Sequence, residues 1–554
     1  MHIRRRNVPH VLATAIAMAI AGTAHANTYT ASTEAELIQA VNNANTNAGT
    51  DTISVTADIT LTAALPTITE ALTIQGSGGQ HTIQRDNTGT NACSPTATNA
   101  FRLIDASADL TLNDLTLSGG CNLVDQGGAV RVTGANLTLA RSTISGNKIF
   151  YPDTANPCYG QCIGGGVAVL YGNADISDSV LSGNQAAQGY ATTGGGVGLY
   201  HGDLSISHST ISGNLANSVG GGGGIYATGV YPNGPAGTVT IIDSTISNNA
   251  GGYGGGITLA IDAVTITDSR ITGNQSNGAA NPRGGGVLVQ NVHNSATFRV
   301  ERTLVSGNAI SGDQGFGGGI CVVGGTFELY DSAVVNNTVI GSTKARAGGV
   351  MLENATATIG NSTLSGNSIN GPTSGGGAIM LDGDDDVVTA SLDLRNSTVS
   401  GNASNNTGGG LYIKRDTPTA MAPTAMIESS IVAGNQGADG LDAIGTEAST
   451  PAAMATDHSL LQGSASVGTG TLSLDATTLS LWDQDPLLLP LAYNGGTTPT
   501  HALAPNSPAI DRGTNSQSLA NDERGAPYAR VVGIAADIGA YELDTDRVFA
   551  NGFE

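Results

Sequence analysis

The densest group of side chains able to do chemistry is Asp382, Asp384, Asp385 and Asp386 in the run LDGDDDVV. Crowded carboxylates offer the hard oxygen ligands that calcium takes, so calcium is the one cofactor these residues suggest. A solvated loop between two strands fits the same spacing and is the favoured reading. Of the five cysteines, Cys93 and Cys121 are 28 residues apart, close to one period of a repeat described below. They are candidates for a disulfide between adjacent coils, and Cys158 with Cys162 could close a small loop. Cys321 is left over, and the absence of a CxxC pair gives zinc little support.

His201 and His208 fall in one coil, but no Asp and Ser are placed to make a triad with them. Tyr151, Tyr159, Tyr171, Tyr190, Tyr200, Tyr226, Tyr231 and Tyr253 lie within about a hundred residues. Aromatic faces are platforms for sugars and for protein partners, although these tyrosines do not repeat in register. No residue is assigned a catalytic role.

Charge narrows the partners. Lys and Arg total 21 against 44 Asp and Glu, a net charge of −23. Setting aside Arg4, Arg5 and Arg6 leaves 18 basic residues against the same 44 acidic ones. So acidic a chain does not suit nucleic acid. The three arginines, the apolar run from Val11 to Ala21 and the Ala24-His25-Ala26 sequence form the anatomy of a cleaved secretory leader over 1–26. That run is shorter than the ~20 residues a spanning helix needs, so no transmembrane segment is expected in the mature chain.

The elements that must position these groups come from a repeat between Gln126 and Asn435. Each unit opens on a glycine cluster with an aliphatic strand, such as GGGVAVLYGNADISDSVLSGN from Gly164 to Asn184, and closes on an asparagine. The closing residues are Asn147, Asn184, Asn214, Asn249, Asn274, Asn308, Asn337, Asn367, Asn402 and Asn435, spaced 25 to 37 apart. Counting back three gives an aliphatic column from Ile144 and Leu181 to Val432, which must face inward. Counting back five gives a hydroxyl in every copy, from Ser142 to Ser430, read as an internal ladder. The asparagines are placed in turns, where they tolerate left-handed backbone and can bond the next coil.

After the glycines, pairs such as Val167 and Val169, or Val350 and Leu352, alternate with period two and mark strands with one buried face. The outward column between the pairs reads Arg131, Ala168, Gly198, Tyr226, Thr258, Leu288, Cys321, Met351, Ile379 and Tyr412. It holds no carboxylate, which argues against catalysis along that strip. Self-similarity at this period signals stacked coils. The fold expected is all-β, a right-handed parallel β-helix with a short N-terminal capping helix over 33–45, where Thr33 is the N-cap and Leu37, Ile38 and Val41 share a face. Neither a leucine-rich repeat nor a calcium-binding nonapeptide repeat fits, because LxxLxLxxN and GGxGxD are both missing.

Gly127-Gly128-Ala129-Val130 and the short motifs ending in Asn resemble the repeats of polymorphic outer membrane proteins, a group of bacterial surface β-helices. Here aliphatic residues replace the aromatic that usually precedes the family's Asn. The C-terminal stretch DPLLLPLAYNGGTTPTHALAPNSPAIDRG, followed by NDERGAPYAR and ADIGAYE, resembles the choice-of-anchor Q domain of exported bacterial proteins. The match runs through Asp485, Asn494, His501, Asp511, Arg524, Asp537 and Glu542. The ending, from Asp546 to Glu554, is similar to short GFE-ending tails of exported proteins.

The domain plan is thus a leader at 1–26, a cap and first coils at 27–120, the array at 121–435, final coils at 436–484, an anchor-Q-like domain at 485–545 and a sorting tail at 546–554. The resemblance implies a Gram-negative bacterial protein at the cell surface, associated with the outer membrane, or secreted from it. The expected role is adhesin-like binding or scaffolding, leaning away from an enzyme, with a carbohydrate or a protein of a host or neighbouring cell as partner. The alternative is a polysaccharide lyase or glycoside hydrolase of the pectate-lyase-like fold.

Overall fold

The computed structural model describes residues 25–86, 92–150, 162–187, 192–217, 221–229, 237–278, 280–290, 296–383, 390–415, 422–437, 444–446, 452–462, 472–476 and 479–544. Alternating aliphatics pair coil upon coil into four long parallel sheets of 16, 15, 11 and 12 strands, here sheets I to IV in the order the chain visits them. One turn shows the path. Leu137–Ala140 lies in sheet I, Thr143–Ser145 in sheet II and Lys148–Phe150 in sheet III, and after a variable loop Val167–Leu170 enters sheet IV. The result is a right-handed parallel β-helix.

The inward column of sheet II pairs Ile144 with Leu181, Ile211, Ile246 and onward to Val432, each at most 2% exposed. Each such side chain contributes roughly 1.5–3 kcal/mol on burial, so every added coil extends the core rather than starting a new one. Phe298 and Phe327 stack on successive rungs of sheet I with centroids 5.2 Å apart.

Two corners make this path regular. Between sheets I and II one residue per coil takes positive φ, including Arg141, Asp178, His208, Asp243 and Asn361. Between sheets II and III the left-handed residue is the one before the closing asparagine, such as Gly146, Gly183 or Asn248. This corrects the placement of the closing asparagines in the turn's left-handed position. They sit one residue later, fully buried, and their amides run up the inside of the corner. Asn147 donates through its side chain to Asn184 Oδ1 at 2.9 Å and to Leu117 O at 3.1 Å. The serine column forms a second ladder: Ser142 N–H donates to Ser179 Oγ at 3.1 Å, and Ser142 Oγ donates to Ala140 O at 2.8 Å.

The open N-terminal end is closed by a helix, Glu34–Ala44, that follows a strand at Thr28–Ala31. Thr33 Oγ accepts from Glu36 N–H at 3.3 Å, and the Glu36 carboxylate accepts from the Ser32 N–H and hydroxyl at 2.8 Å each, satisfying donors at the helix start. Leu37, Ala40, Val41 and Ala44 form the buried stripe, with Ile38 at its margin. Cys93 and Cys121 are joined by a disulfide in the first coils.

At the far end, Ala452–Asp457 and Leu472–Ala476 continue sheet I, while Leu460–Leu461 and Leu481–Trp482 continue sheet II. The C-terminal segment then turns back and lies lengthwise on the outward face of sheet II. Leu503, Ala509, Ile538 and Leu543 pack on Ile431, Ala433 and Leu460, and Leu491 reaches Leu304, Ala333 and Val335. Asn396 donates to Thr514 O at 2.8 Å, and Ala540 N–H donates to Thr398 Oγ at 3.0 Å.

Candidate functional site

Sheet IV carries two outward columns. In the first, Met380 stands beside Met351, while Ile379 pairs with Val350 and points inward. Placing Ile379 outward was therefore a one-residue slip, which flips a strand's faces. Its cause is the cluster Gly375-Gly376-Gly377-Ala378, where Ala378 takes a place that glycine holds in other coils. Leu288, Cys321, Met351 and Met380 are wholly buried, packed with Phe316 and Ala347 from the segments that precede the glycine clusters. Burial pushes the Cys321 thiol up to about 12, so it is an inert core group.

The second outward column holds the charges that the first one lacks. Glu353, Asp382 and Lys414 occupy successive rungs. Arg283 Nη1 meets Glu353 Oε2 at 2.7 Å, and Arg346 Nη1 meets Asp382 Oδ2 at 2.6 Å. Both guanidiniums also flank the Phe316 ring, at 5.0 and 5.7 Å from its centroid. Asp382 is thus buried against a cation, while Asp384, Asp385 and Asp386 lie outside the described residues. Among the described residues no group of three or more His, Cys, Asp or Glu side chains is placed to hold a metal. The signal for this column is the fourth residue of each strand, where Glu353, Asp382 and Lys414 align once Met380 rather than Ile379 is set beside Met351.

A second ion network lies near the start of sheet IV. Arg131 engages Asp105 through two nitrogens at 2.8 and 3.0 Å, and Arg102 meets Asp105 at 3.0 Å. Asp125 closes the ring by bonding both arginines. Burial would raise the Asp105 carboxyl, but Arg131 and Arg102 outweigh it and hold it below the usual carboxylate range.

The tyrosines divide. Tyr151, Tyr159, Tyr190 and Tyr231 lie outside the described residues. Tyr226 packs on the face of sheet IV with Tyr200, and its burial raises its phenol. Tyr171 instead stands at the corner between sheets IV and I with positive φ, 57% exposed. Its ring is parallel to that of His201 one coil away, with centroids 5.5 Å apart and 9° between planes, and Tyr200 meets both rings at near right angles. Beside this stack, exposed polar side chains repeat from coil to coil. Asn173 N–H donates to Asn136 Oδ1 at 2.9 Å, Asp203 N–H to Asn173 Oδ1 at 2.9 Å, and Thr238 N–H to Asp203 Oδ1 at 2.7 Å.

Among the described residues, the remaining cysteine and His501 hold the fold together, while His208 stands at the surface. Cys162 is disulfide-bonded, and Cys158 lies outside the described residues. His208 faces Asp243 at 3.7 Å, both exposed. His501 Nδ1 donates to Leu489 O at 2.8 Å, which leaves Nε2 to accept from Ser365 Oγ at 2.9 Å. Burial lowers its basicity, so the neutral ring pins the C-terminal segment to sheet II.

No family model and no curated protein matches the chain. Among solved structures it is similar to the crystal structure of pectate lyase Pel9A, at 11% identity over 94% of this chain and 96% of that one, with a TM-score of 0.25. A similarity of that size bears on neither substrate nor chemistry. No helix among the described residues is long and apolar enough to cross a membrane.

Proposed function

We propose that this chain is an exported β-helix, displayed at the cell surface or secreted, that acts as an adhesin-like binding or scaffold protein. The observation that carries the reading is a contrast between two kinds of side-chain cluster. Glu353, Asp382, Asp105 and Asp125 are each tied to a guanidinium, whereas the Tyr171–His201 corner offers an exposed tyrosine ring, a half-buried imidazole and exposed amides. Paired carboxylates hold structure, and exposed aromatics with polar neighbours hold ligands. The polymorphic-outer-membrane-protein-like repeats, the leader at 1–26 and the anchor-Q-like segment at 485–545 support a bacterial surface location. The mature chain, immobilised on glycan and protein arrays, should retain ligands without converting them. Protease shaving of intact cells should remove the array, and recovery from the periplasm alone would contradict surface display.

One observation favours a second reading, a polysaccharide lyase or glycoside hydrolase. Glu353, Asp382 and Lys414 lie on adjacent coils of one face with Arg346 beside them, an acid and base set of the kind such reactions use. Turnover of a polysaccharide, lost in Glu353→Gln and Asp382→Asn, would support it.

A further inference from the structure

We propose that the corner around Tyr171 and His201 binds a neutral pyranose residue of a glycan. This rests on the binding-protein reading above and names its ligand class.

The column at this corner runs Gly134, Tyr171, His201 and Gly229, fixed by hydrogen bonds from Gly134 N–H to Leu170 O, Tyr171 N–H to Tyr200 O, His201 N–H to Thr228 O and Gly229 N–H to Ala260 O. Two stacked rings therefore stand between two rungs without side chains. A Cβ placed on Gly134 would meet nothing within 4 Å, so the rung beside Tyr171 is open. The floor is also bare, and it has to be. A Cβ on Gly172 would lie 1.8 Å from Ala135 O, and one on Gly202 would lie 2.0 Å from Gly172 O. Together, Asn136, Tyr171, Asn173, His201, Asp203 and the intervening glycines line one shallow pocket.

The polar groups at its edge are already held in place. The Asn173 Oδ1 and Asp203 Oδ1 atoms are each occupied by a backbone N–H of the next coil, and Thr238 Oγ also donates to Asp203 Oδ1 at 2.9 Å. This leaves the Asn173 amide N–H₂ as a donor and Asp203 Oδ2 as an acceptor, one rung or about 4.8 Å apart. A donor and an acceptor at that separation can each reach one of two neighbouring hydroxyls at ordinary hydrogen-bond length. An exposed aromatic ring beside them matches the C–H face of a pyranose, which is apolar on one side and hydroxylated at its rim.

The charge selects against acidic sugars. Among the described residues, Asp203 is the one carboxylate lining the pocket, and no Lys or Arg lines it. A uronate or sulfated sugar would bring its own negative charge against Asp203 with no guanidinium to receive it.

The test titrates the full mature chain with neutral gluco-, manno- and galacto-oligosaccharides and with oligogalacturonate, reading saturation transfer to sugar protons and calorimetric affinity. We expect a neutral oligosaccharide to bind, with at least tenfold weaker affinity in Tyr171→Ala and an unchanged melting profile. Asp203→Asn keeps Oδ1 for the Thr238 N–H and turns the free acceptor into a donor, so it should weaken binding while leaving the corner folded. Neutral sugars that do not bind, that bind equally to both variants, or that bind less well than oligogalacturonate would each overturn the proposal. Retained binding to cell-surface proteins in those cases would leave the broader reading standing, and loss of every ligand would end both.

Discussion

Asn184 Oδ1 accepts two hydrogen bonds from Asn147, one from its backbone N–H at 3.1 Å and one from its side-chain amide at 2.9 Å. The same two bonds recur from Asn249 to Asn274, both at 3.0 Å, and up to Asn435. The ladder satisfies the buried amides of one corner with the amides of the next coil, so each rung depends on its neighbour.

Asn274→Ala removes the acceptor for both Asn249 donors, takes the amide from Ile246 O and leaves Asn308 Oδ1 with one of its two donors, the backbone N–H. We expect about 2–4 kcal/mol of destabilisation, centred on that coil. Asn274→Asp should cost more at pH 8, because the acceptor is kept but both donations become oxygen against oxygen beside a buried charge. Hydrogen exchange should show local opening at rungs 249–308, with distant coils little changed. Uniform loss across the stack would contradict a nearest-neighbour ladder.

Stability should depend on pH through the docked C-terminal segment. Glu523 is buried between Thr363 of sheet II and Thr498, and burial raises its carboxyl well above the usual range. Burial and the nearby Asp537 likewise push Glu542 up to about 7. A carboxyl whose folded pKa is raised binds its proton more tightly when folded. Its contribution is therefore full below the unfolded value of 4.5 and is lost as pH rises from there through about 7. Trp482, the single tryptophan, sits in the last strand of sheet II and can report this end. From the two carboxyls, the unfolding free energy it reports should fall from pH 5 to pH 8 by on the order of 2 kcal/mol, against the opposite pull of His501, whose burial favours the neutral ring, and Glu523→Gln should lessen the fall. Equal pH dependence in the wild type and in Glu523→Gln would contradict the assignment.

Cys321 should resist alkylation in the native protein at pH 8 and react fully in denaturant, since it is wholly buried and its thiol stays protonated. Labelling within minutes without denaturant would show that Phe316 and Ala347 do not shield the strip.

The stack was legible because its signal is periodic. The inward column from Ile144 to Val432 keeps one chemical type through ten coils, so counting from each closing asparagine locates it. The left-handed corner at Arg141, Asp178, His208 and Asp243 was not legible, because the backbone demand is constant while these side chains point to solvent and vary. The docking of the C-terminal segment left a trace that was available. The outward residues of sheet II turn apolar at Leu304, Ala333 and Ile431 where the segment lies, while Thr363 and Thr398 stay polar there and bond Glu523 and Ala540. The candidate binding corner joins Tyr171, Asn173, His201 and Asp203 from two coils of unequal loop length, so only the assembled register brings them together.

The most direct measurement is a turnover assay of the purified mature chain, with calcium, against a panel of acidic and neutral polysaccharides. Ligand should be retained with no release of unsaturated or reducing ends. Release abolished by the double change Asp384→Ala and Asp385→Ala, or by Glu353→Gln, would contradict it and establish an enzyme.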